Sequence, residues 1–200
     1  MRNKPALLAS LVVLLLGAFA AVVLGGKPDP ALARQPLVIA ALQPLGVTPN
    51  WQTVVLFSAR DTDLPPARLW AAWEKLEAWP TWSGGLVLET RWIDTPGWRA
   101  GARFEQVLDL GWMMNHVRSV ETVGAADTGR LVSWWKDQSG IKSNHIWSFE
   151  PLPDGGSRII DCEVLHGPLV GLARPLTEPA WQHRFDVAID GLILAARRAK

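Results

Sequence analysis

The sequence contains no tyrosine and only one cysteine, and its positive and negative charges nearly cancel. The single thiol, Cys162, cannot form an intrachain disulfide, and its apolar surroundings are typical of a buried strand. The net charge is +1, without the clustered basic excess that marks a nucleic-acid-binding surface. The sequence therefore excludes a disulfide framework and predicts no nucleic-acid partner.

Recognisable catalytic and metal-binding motifs are missing as well. The histidines are His116, His145, His166 and His183. None of them has the short spacing to another ligand that a metal site requires. The sequence also holds no G-x-S-x-G, no P-loop and no G-x-G-x-x-G. We therefore predict no metal, no cofactor and no catalytic residue.

Tryptophan is abundant where tyrosine is absent, with twelve residues. Each indole brings a large apolar area and a single hydrogen-bond donor, which suits either a protein core or an apolar pocket. The chain has 200 residues, of which 48% are hydrophobic. That is enough for one globular domain and one additional segment.

Residues 1–26 begin with Arg2 and Lys4 and then continue without a charged residue. An apolar run of about twenty residues matches the hydrocarbon core of a bilayer, so residues 5–26 are predicted to form one helix that anchors the chain as a single-pass membrane protein. Ala18-Phe19-Ala20 and Ala31-Leu32-Ala33 resemble small-residue cleavage sites and leave a cleaved signal open as the alternative. The positive charges before and after the run weakly favour a cytoplasmic N-terminus, which places the domain outside the cytoplasm. After cleavage the domain would be secreted or periplasmic.

Residues 27–50 contain five prolines and are predicted to form a semi-extended linker. Within this linker the apolar patch 37–42 either lies on the membrane or packs on the domain, and the sequence does not decide between the two. Residues 51–200 then form the globular domain.

The pattern of this domain predicts an α+β fold. A strand rich in β-branched residues covers 53–61, and a helix follows from Pro65 to Trp79. Glycines then separate a series of short strands, as hairpin turns require. Six strands are predicted, at 86–93, 102–110, 112–123, 130–137, 142–150 and 158–166.

A long helix at 178–198 closes the chain, with Thr177 as the predicted N-cap. Its apolar residues follow the spacing of one helical stripe: Trp181, Phe185, Ala188 and Leu192. Other long helices are missing from the domain. We therefore expect a curved antiparallel sheet of about seven strands to pack around this stripe.

Several stretches, from DTDLPPARLWAAWEKLEAWPTW through GWRAGARFE, RLVSWW and HIWSFEPLPDGGSRI to EVLHGPLVGL, occur in this order. Over residues 53–198 the chain resembles the polyketide cyclase/dehydrase and lipid-transport group of the START/Bet v 1-like (SRPBCC) superfamily. The resemblance implies a helix-grip fold, in which the sheet curls around the last helix and leaves an apolar cavity. It also implies that a hydrophobic small molecule or lipid is the partner.

Strand alternation indicates which side chains line such a cavity. In strand 142–150, alternate residues from His145 share a face, and their apolar character predicts that this face points inward. The same alternation in strand 158–166 gathers the residues from Ile160 to His166. The predicted ligand-binding residues are His145, Trp147, Phe149, Ile160, Val164, His166, Trp135 and His116. The alternative is that the histidines are hydrogen-bonded structural residues and that the tryptophans belong to the core.

A void of about 300 Å³ would cost roughly 7 kcal/mol, which is the size of a whole domain's stability. A retained cavity is therefore expected to hold water or a ligand. Our first hypothesis is that a membrane-tethered or exported domain binds a hydrophobic small molecule or lipid. The alternatives are a cyclase- or dehydratase-type enzyme with His145 or His116 as acid or base, and a protein-interaction module. The absence of a visible catalytic pair favours binding.

Overall fold

A computed structural model of the chain describes residue 17, residues 26–111 and residues 116–199. The strands are β1 Thr53–Thr62, β2 Val87–Trp92, β3 Arg103–Leu108, β4 Val117–Asp127, β5 Leu131–Gln138, β6 Ile141–Pro151 and β7 Ser157–His166. The helices are α1 Pro36–Leu42, α2 Pro66–Trp73, α3 Trp79–Trp82 and α4 Pro168–Arg198, with 3-10 turns at Leu32–Arg34 and Leu76–Ala78. The predicted α+β fold is confirmed. The first part of the predicted strand 112–123, residues 112–115, lies outside the described residues.

The seven strands form one antiparallel sheet in the order β1-β7-β6-β5-β4-β3-β2, and this sheet curls around α4. The stripe predicted on α4 is buried against the inner face of the sheet, at Trp181, Phe185, Ala188 and Leu192. Gly191 allows α4 to approach α3 closely, because a Cβ at that position would collide with the carbonyl oxygen of Trp82. The helix-grip arrangement is therefore present.

Helix α4 begins at Pro168, ten residues before the predicted start. The Thr177 hydroxyl donates to the Ala173 carbonyl at 3.0 Å inside the helix, so Thr177 is not an N-cap. The first turns are held by packing, since a Cβ on Gly171 would collide with the backbone of Trp51. Tertiary contacts have overridden the local stop signals at Pro175 and Pro179.

The outer face of the sheet is covered by residues from the segment predicted as a linker. Helix α1 buries Val38, Ala41 and Leu42 against β6 and β7. The Asn144 side-chain amide fixes this contact by donating to the Ala41 carbonyl at 3.1 Å. The apolar patch 37–42 therefore packs on the domain, and part of the expected extended linker is helical.

Among the described residues, no helix is both long enough and apolar enough to cross a membrane. The helix predicted over residues 5–26 lies outside the described residues except at Gly17 and Gly26. At the end of that predicted helix, Arg174 on α4 donates hydrogen bonds to the carbonyl oxygens of Gly26 and Lys27, at 2.5 and 3.1 Å.

Candidate functional site

A cavity lies between the inner face of the sheet, α3 and α4. Its walls are mainly apolar and aromatic: Trp79, Trp82, Leu86, Val87, Leu108, Leu110, Trp134, Trp147, Phe185 and Ala188. Its polar lining residues are Ser83, Gln106, His145, Asp161 and Glu163. The volume of this cavity is about 50 Å³. That is about a third of the roughly 150 Å³ of an apolar cavity that accepts benzene.

His145 and Asp161 form a buried pair on the cavity wall. They lie on the neighbouring strands β6 and β7, and His145 Nε2 is 2.5 Å from Asp161 Oδ1. Aromatic rings hold the imidazole on both sides, with Trp134 at 4.4 Å and Phe185 nearly parallel at 5.3 Å between ring centroids. The pair therefore has one fixed orientation toward the cavity.

Burial affects the proton affinity of both partners. Burial alone lowers the pKa of His145, but the charge and hydrogen bond of Asp161, with the charges of Glu163 and Glu121, raise this pKa above its usual value. Burial raises the pKa of Asp161 to about 6, although the attraction of His145 opposes the increase. Both groups therefore hold protons more firmly than they would in water.

The second imidazole nitrogen of His145 remains available to a ligand. Nδ1 lies 3.7 Å from Glu163 Oε2, which is too long for a hydrogen bond. Asp161 Oδ2 is buried and has no hydrogen-bond partner among the described residues. His145 thus has one donor, and the carboxylates of β7 have acceptor oxygens, without hydrogen-bond partners among the described residues.

A second polar cluster continues along the inner face from Gln106. Glu121 Oε1 accepts from the Gln106 amide at 3.1 Å and from the Ser119 hydroxyl at 2.6 Å. Lys136 Nζ lies 2.9 Å from Ser119 Oγ and 3.5 Å from Glu121 Oε1. Of this second cluster only Gln106 lines the cavity, where it joins His145, Asp161 and Glu163 among indoles and aliphatic side chains.

The structure brings together only some of the predicted ligand residues. His145 and Trp147 line the cavity. Phe149 also faces inward, but it packs deeper in the core against Trp70 and Trp73. The predicted inward orientation is therefore correct for strand β6.

The orientation predicted for strand β7 is wrong. Ile160 and Val164 point to the outer face, where α1 covers them. His166 is the last residue of β7 and shares a 3.0 Å hydrogen bond with Thr53. Burial and the charge of Lys142 lower the pKa of His166. None of these three side chains lines the cavity.

Trp135 and His116 also lie away from the cavity. The Trp135 side chain is 41% exposed on the outer face of β5. His116 is exposed in the turn before β4, with a positive φ of 58°. Their expected role in ligand binding therefore has no geometric support.

Asp161 and Glu163 are cavity-lining residues that the sequence prediction missed. They pair directly with Trp147 and His145 across the sheet and so share the inner face with them. The hairpin between β6 and β7 could have predicted this placement. Once Pro151 pairs with Ser157, every later pair of residues on the two strands is fixed. Among the residues that can be described, no group of three or more side chains is arranged to hold a metal ion.

Residues 54–197 match the protein family described as "Polyketide cyclase / dehydrase and lipid transport". No curated protein sequence matches the chain. Among solved structures, hypothetical protein jhp0584 from Helicobacter pylori is similar with a TM-score of 0.61 and 14% identity, covering 72% of this chain and 88% of that one. TTHA0849 from Thermus thermophilus has a TM-score of 0.59 and 19% identity, covering 72% and 97%.

Truncated norcoclaurine synthase from Thalictrum flavum is also similar, with a TM-score of 0.57, 11% identity and coverage of 74% of this chain and 96% of that one. At these identities the structural similarities establish a shared fold.

Proposed function

Because the family match covers most of its length, the chain belongs to the polyketide cyclase/dehydrase and lipid transport family, and we propose that its inner cavity binds a small, mainly apolar molecule with a polar end. The observation that carries this proposal is the composition of the cavity wall. Indole and aliphatic side chains surround a cluster of His145, Asp161 and Glu163 whose hydrogen-bonding capacity is only partly used. A few polar groups in an apolar concavity are the usual composition of a ligand site.

The size of the cavity favours a ligand with a single ring over an intact acyl lipid. A cavity volume of about 50 Å³ is about a third of the roughly 150 Å³ that accepts benzene, so one ring already requires the walls to move and an acyl chain requires far more space. A related fold accommodates single-ring molecules, since one structure of norcoclaurine synthase holds dopamine and hydroxybenzaldehyde. We therefore use 2-phenylethanol, a ring with one neutral polar end, as the probe.

Ala188 offers a direct test, because it lines the cavity from α4 and is 1% exposed. Isothermal titration of the purified chain with 2-phenylethanol should give saturable binding, and Ala188→Leu should abolish it by filling the space. Ala180→Leu is the matched control, since Ala180 lies exposed on the same helix. Equal binding by the wild type and Ala188→Leu would show that the ligand binds elsewhere.

A second candidate function is general acid–base catalysis of the cyclase or dehydratase type. It is favoured by the pairing of His145 with Asp161, in which a carboxylate orients an imidazole whose other nitrogen faces the cavity. This is the arrangement of a catalytic base with its orienting group. The candidate acid or base is His145, whereas His116 lies in an exposed turn.

His145→Ala separates binding from catalysis. If the protein only binds, the change should weaken ligand affinity by about 1–3 kcal/mol, because a buried hydrogen bond is lost. If His145 is a catalytic acid or base, turnover of a substrate should fall by about a hundredfold or more while binding survives. His116→Ala serves as the control and should change neither quantity.

We also propose that the apolar run of residues 5–26 anchors the chain in a membrane, with the domain outside the cytoplasm. The length and lack of charge of this run support the proposal. Membrane fractionation with N-terminal sequencing tests it, since an anchored chain keeps Met1 in the membrane fraction. A mature chain beginning at Ala21 or Arg34 would instead indicate a cleaved signal and an exported protein.

A further inference from the structure

The charged groups with unused hydrogen-bonding capacity at the cavity wall are carboxylates. Asp161 Oδ2 is buried without a partner among the described residues, and the Glu163 carboxylate lies 3.7 Å from His145 Nδ1, beyond hydrogen-bond distance. Unused donors are present as well, such as the indole N–H of Trp82, but indoles carry no charge. A ligand that satisfies the two carboxylates must donate hydrogen bonds.

The charges around the cavity point in the same direction. Two carboxylates, Asp161 and Glu163, line the cavity with a single base, His145, while Glu121 outside the lining is paired with Lys136. The next cation along the inner face, Arg60, is already shared by two carboxylates, Asp186 and Asp190. The wall is thus one positive charge short of balance, and a cationic ligand would supply this charge in a place where water is largely excluded.

The aromatic part of the cavity lining suits a cation as well. Trp79, Trp82, Trp134 and Trp147 all line the cavity and are each less than a tenth exposed. Indole faces attract cations more strongly than other aromatic side chains do, and the attraction grows when the cation is desolvated. Such walls have no comparable attraction for a carboxylate, which would also meet Glu163.

On these three observations, and resting on the proposed binding function, we infer that the ligand of this cavity is a small organic amine bound as its ammonium ion. The ammonium donates to Glu163 and to the free oxygen of Asp161, and its hydrocarbon or aromatic part lies among the indoles. The same wall discriminates against fatty acids and other organic anions.

Three probes that share a phenylethyl group and differ in charge test this inference: phenethylamine, 2-phenylethanol and 3-phenylpropanoate. Isothermal titration of the whole 200-residue chain near neutral pH should show that the ammonium binds about tenfold more tightly than the alcohol, with the anion weakest. The ranking needs no variant, so it does not depend on whether a substitution folds.

Glu163→Gln removes one charge while keeping the shape of the side chain. We expect the affinity for phenethylamine to fall by about tenfold more than the affinity for 2-phenylethanol does, because only the amine loses a charged partner. Glu150→Gln is the matched control, because Glu150 lies exposed at the end of β6. It should leave both affinities unchanged.

The outcomes distinguish the two proposals. Binding of 2-phenylethanol without a preference for the amine, or tightest binding of 3-phenylpropanoate, would overturn the amine inference and leave cavity binding intact. An equal loss for amine and alcohol in Glu163→Gln would also overturn it. If the wild type binds none of the three probes, both the inference and the proposed function fail.

Discussion

The two faces of strands β6 and β7 are both buried, yet they differ in chemistry. The outer face places Ile146 and Val164 under α1 in a small apolar cluster. The inner face places His145 and Asp161 beside a cavity. Buried charged pairs are rarely the most stable filling of such a space, because desolvation offsets their attraction. The outer face therefore mainly stabilises the fold, whereas the inner face contributes less stability because it keeps polar groups beside a cavity.

The largest effect is expected in the inner core away from the cavity. Trp73 is fully buried and packs edge-on against Phe149, with ring centroids 5.8 Å apart. Trp73→Ala should lower the free energy of unfolding by about 3–5 kcal/mol, measured by urea denaturation. Trp135→Ala, on the exposed outer surface, is the control. Equal losses in the two variants would contradict the assignment of the inner core.

The outer face provides the next test. Ile146 is 3% exposed under α1, and its neighbour Trp147 points into the cavity. Ile146→Ala should lower the free energy of unfolding by about 3 kcal/mol and leave the affinity for 2-phenylethanol unchanged. A marked loss of affinity in a stably folded Ile146→Ala variant would break the separation between the two faces.

The pH dependence of stability tests the inner face alone. Burial raises the pKa of Asp161 from 3.8 to about 6, so its contribution to stability is fully present below pH 3.8 and is lost as the pH rises through 6. The raised pKa of His145 has the same sign, with loss as the pH rises above 6.5.

Relative to Asp161→Asn, the wild type should therefore lose up to about 3 kcal/mol of unfolding free energy between pH 4 and pH 7. Denaturation curves of both proteins across this range measure the difference. A wild type that gains stability over the variant as the pH rises would show that Asp161 is held as a stabilised carboxylate.

The smallest effects distinguish two histidines that the sequence treats alike. His145→Ala should weaken ligand affinity by about 1–3 kcal/mol, because His145 lines the cavity. His166→Ala should change affinity by less than about 0.5 kcal/mol, because His166 lies outside the cavity beside Thr53. Titrations of both variants with 2-phenylethanol measure the difference, and equal losses would mean that the two faces are coupled.

Most of the fold follows from the sequence because its local signals agree. Glycine turns separate the strands, alternation fixes β6, and the stripe from Trp181 to Leu192 identifies the central helix. The start of α4 was missed, since close packing of Gly171 against Trp51 continues the helix past two local stop signals.

The site was predictable only in part, for a reason that lies in the outer face. Hydrophobicity identifies the buried face of a strand only when the other face meets water. In β7 both faces are covered, so the apolar set with Ile160 and Val164 looked like the inner one. Asp161 and Glu163 alternate with that set, and their partners across the sheet place them on the inner face, where they line the cavity.

The cover of the outer face by α1 has a practical consequence for handling the protein. A shortened chain that begins where the family match begins, at residue 54, lacks α1 and leaves an adhesive apolar surface on β6 and β7. The only cysteine of the chain, Cys162, is buried within this surface. A thiol-reactive dye should therefore label the shortened chain rapidly and the longer chain slowly. Labelling of the Cys162 sulfur therefore reports whether α1 is detached from the sheet.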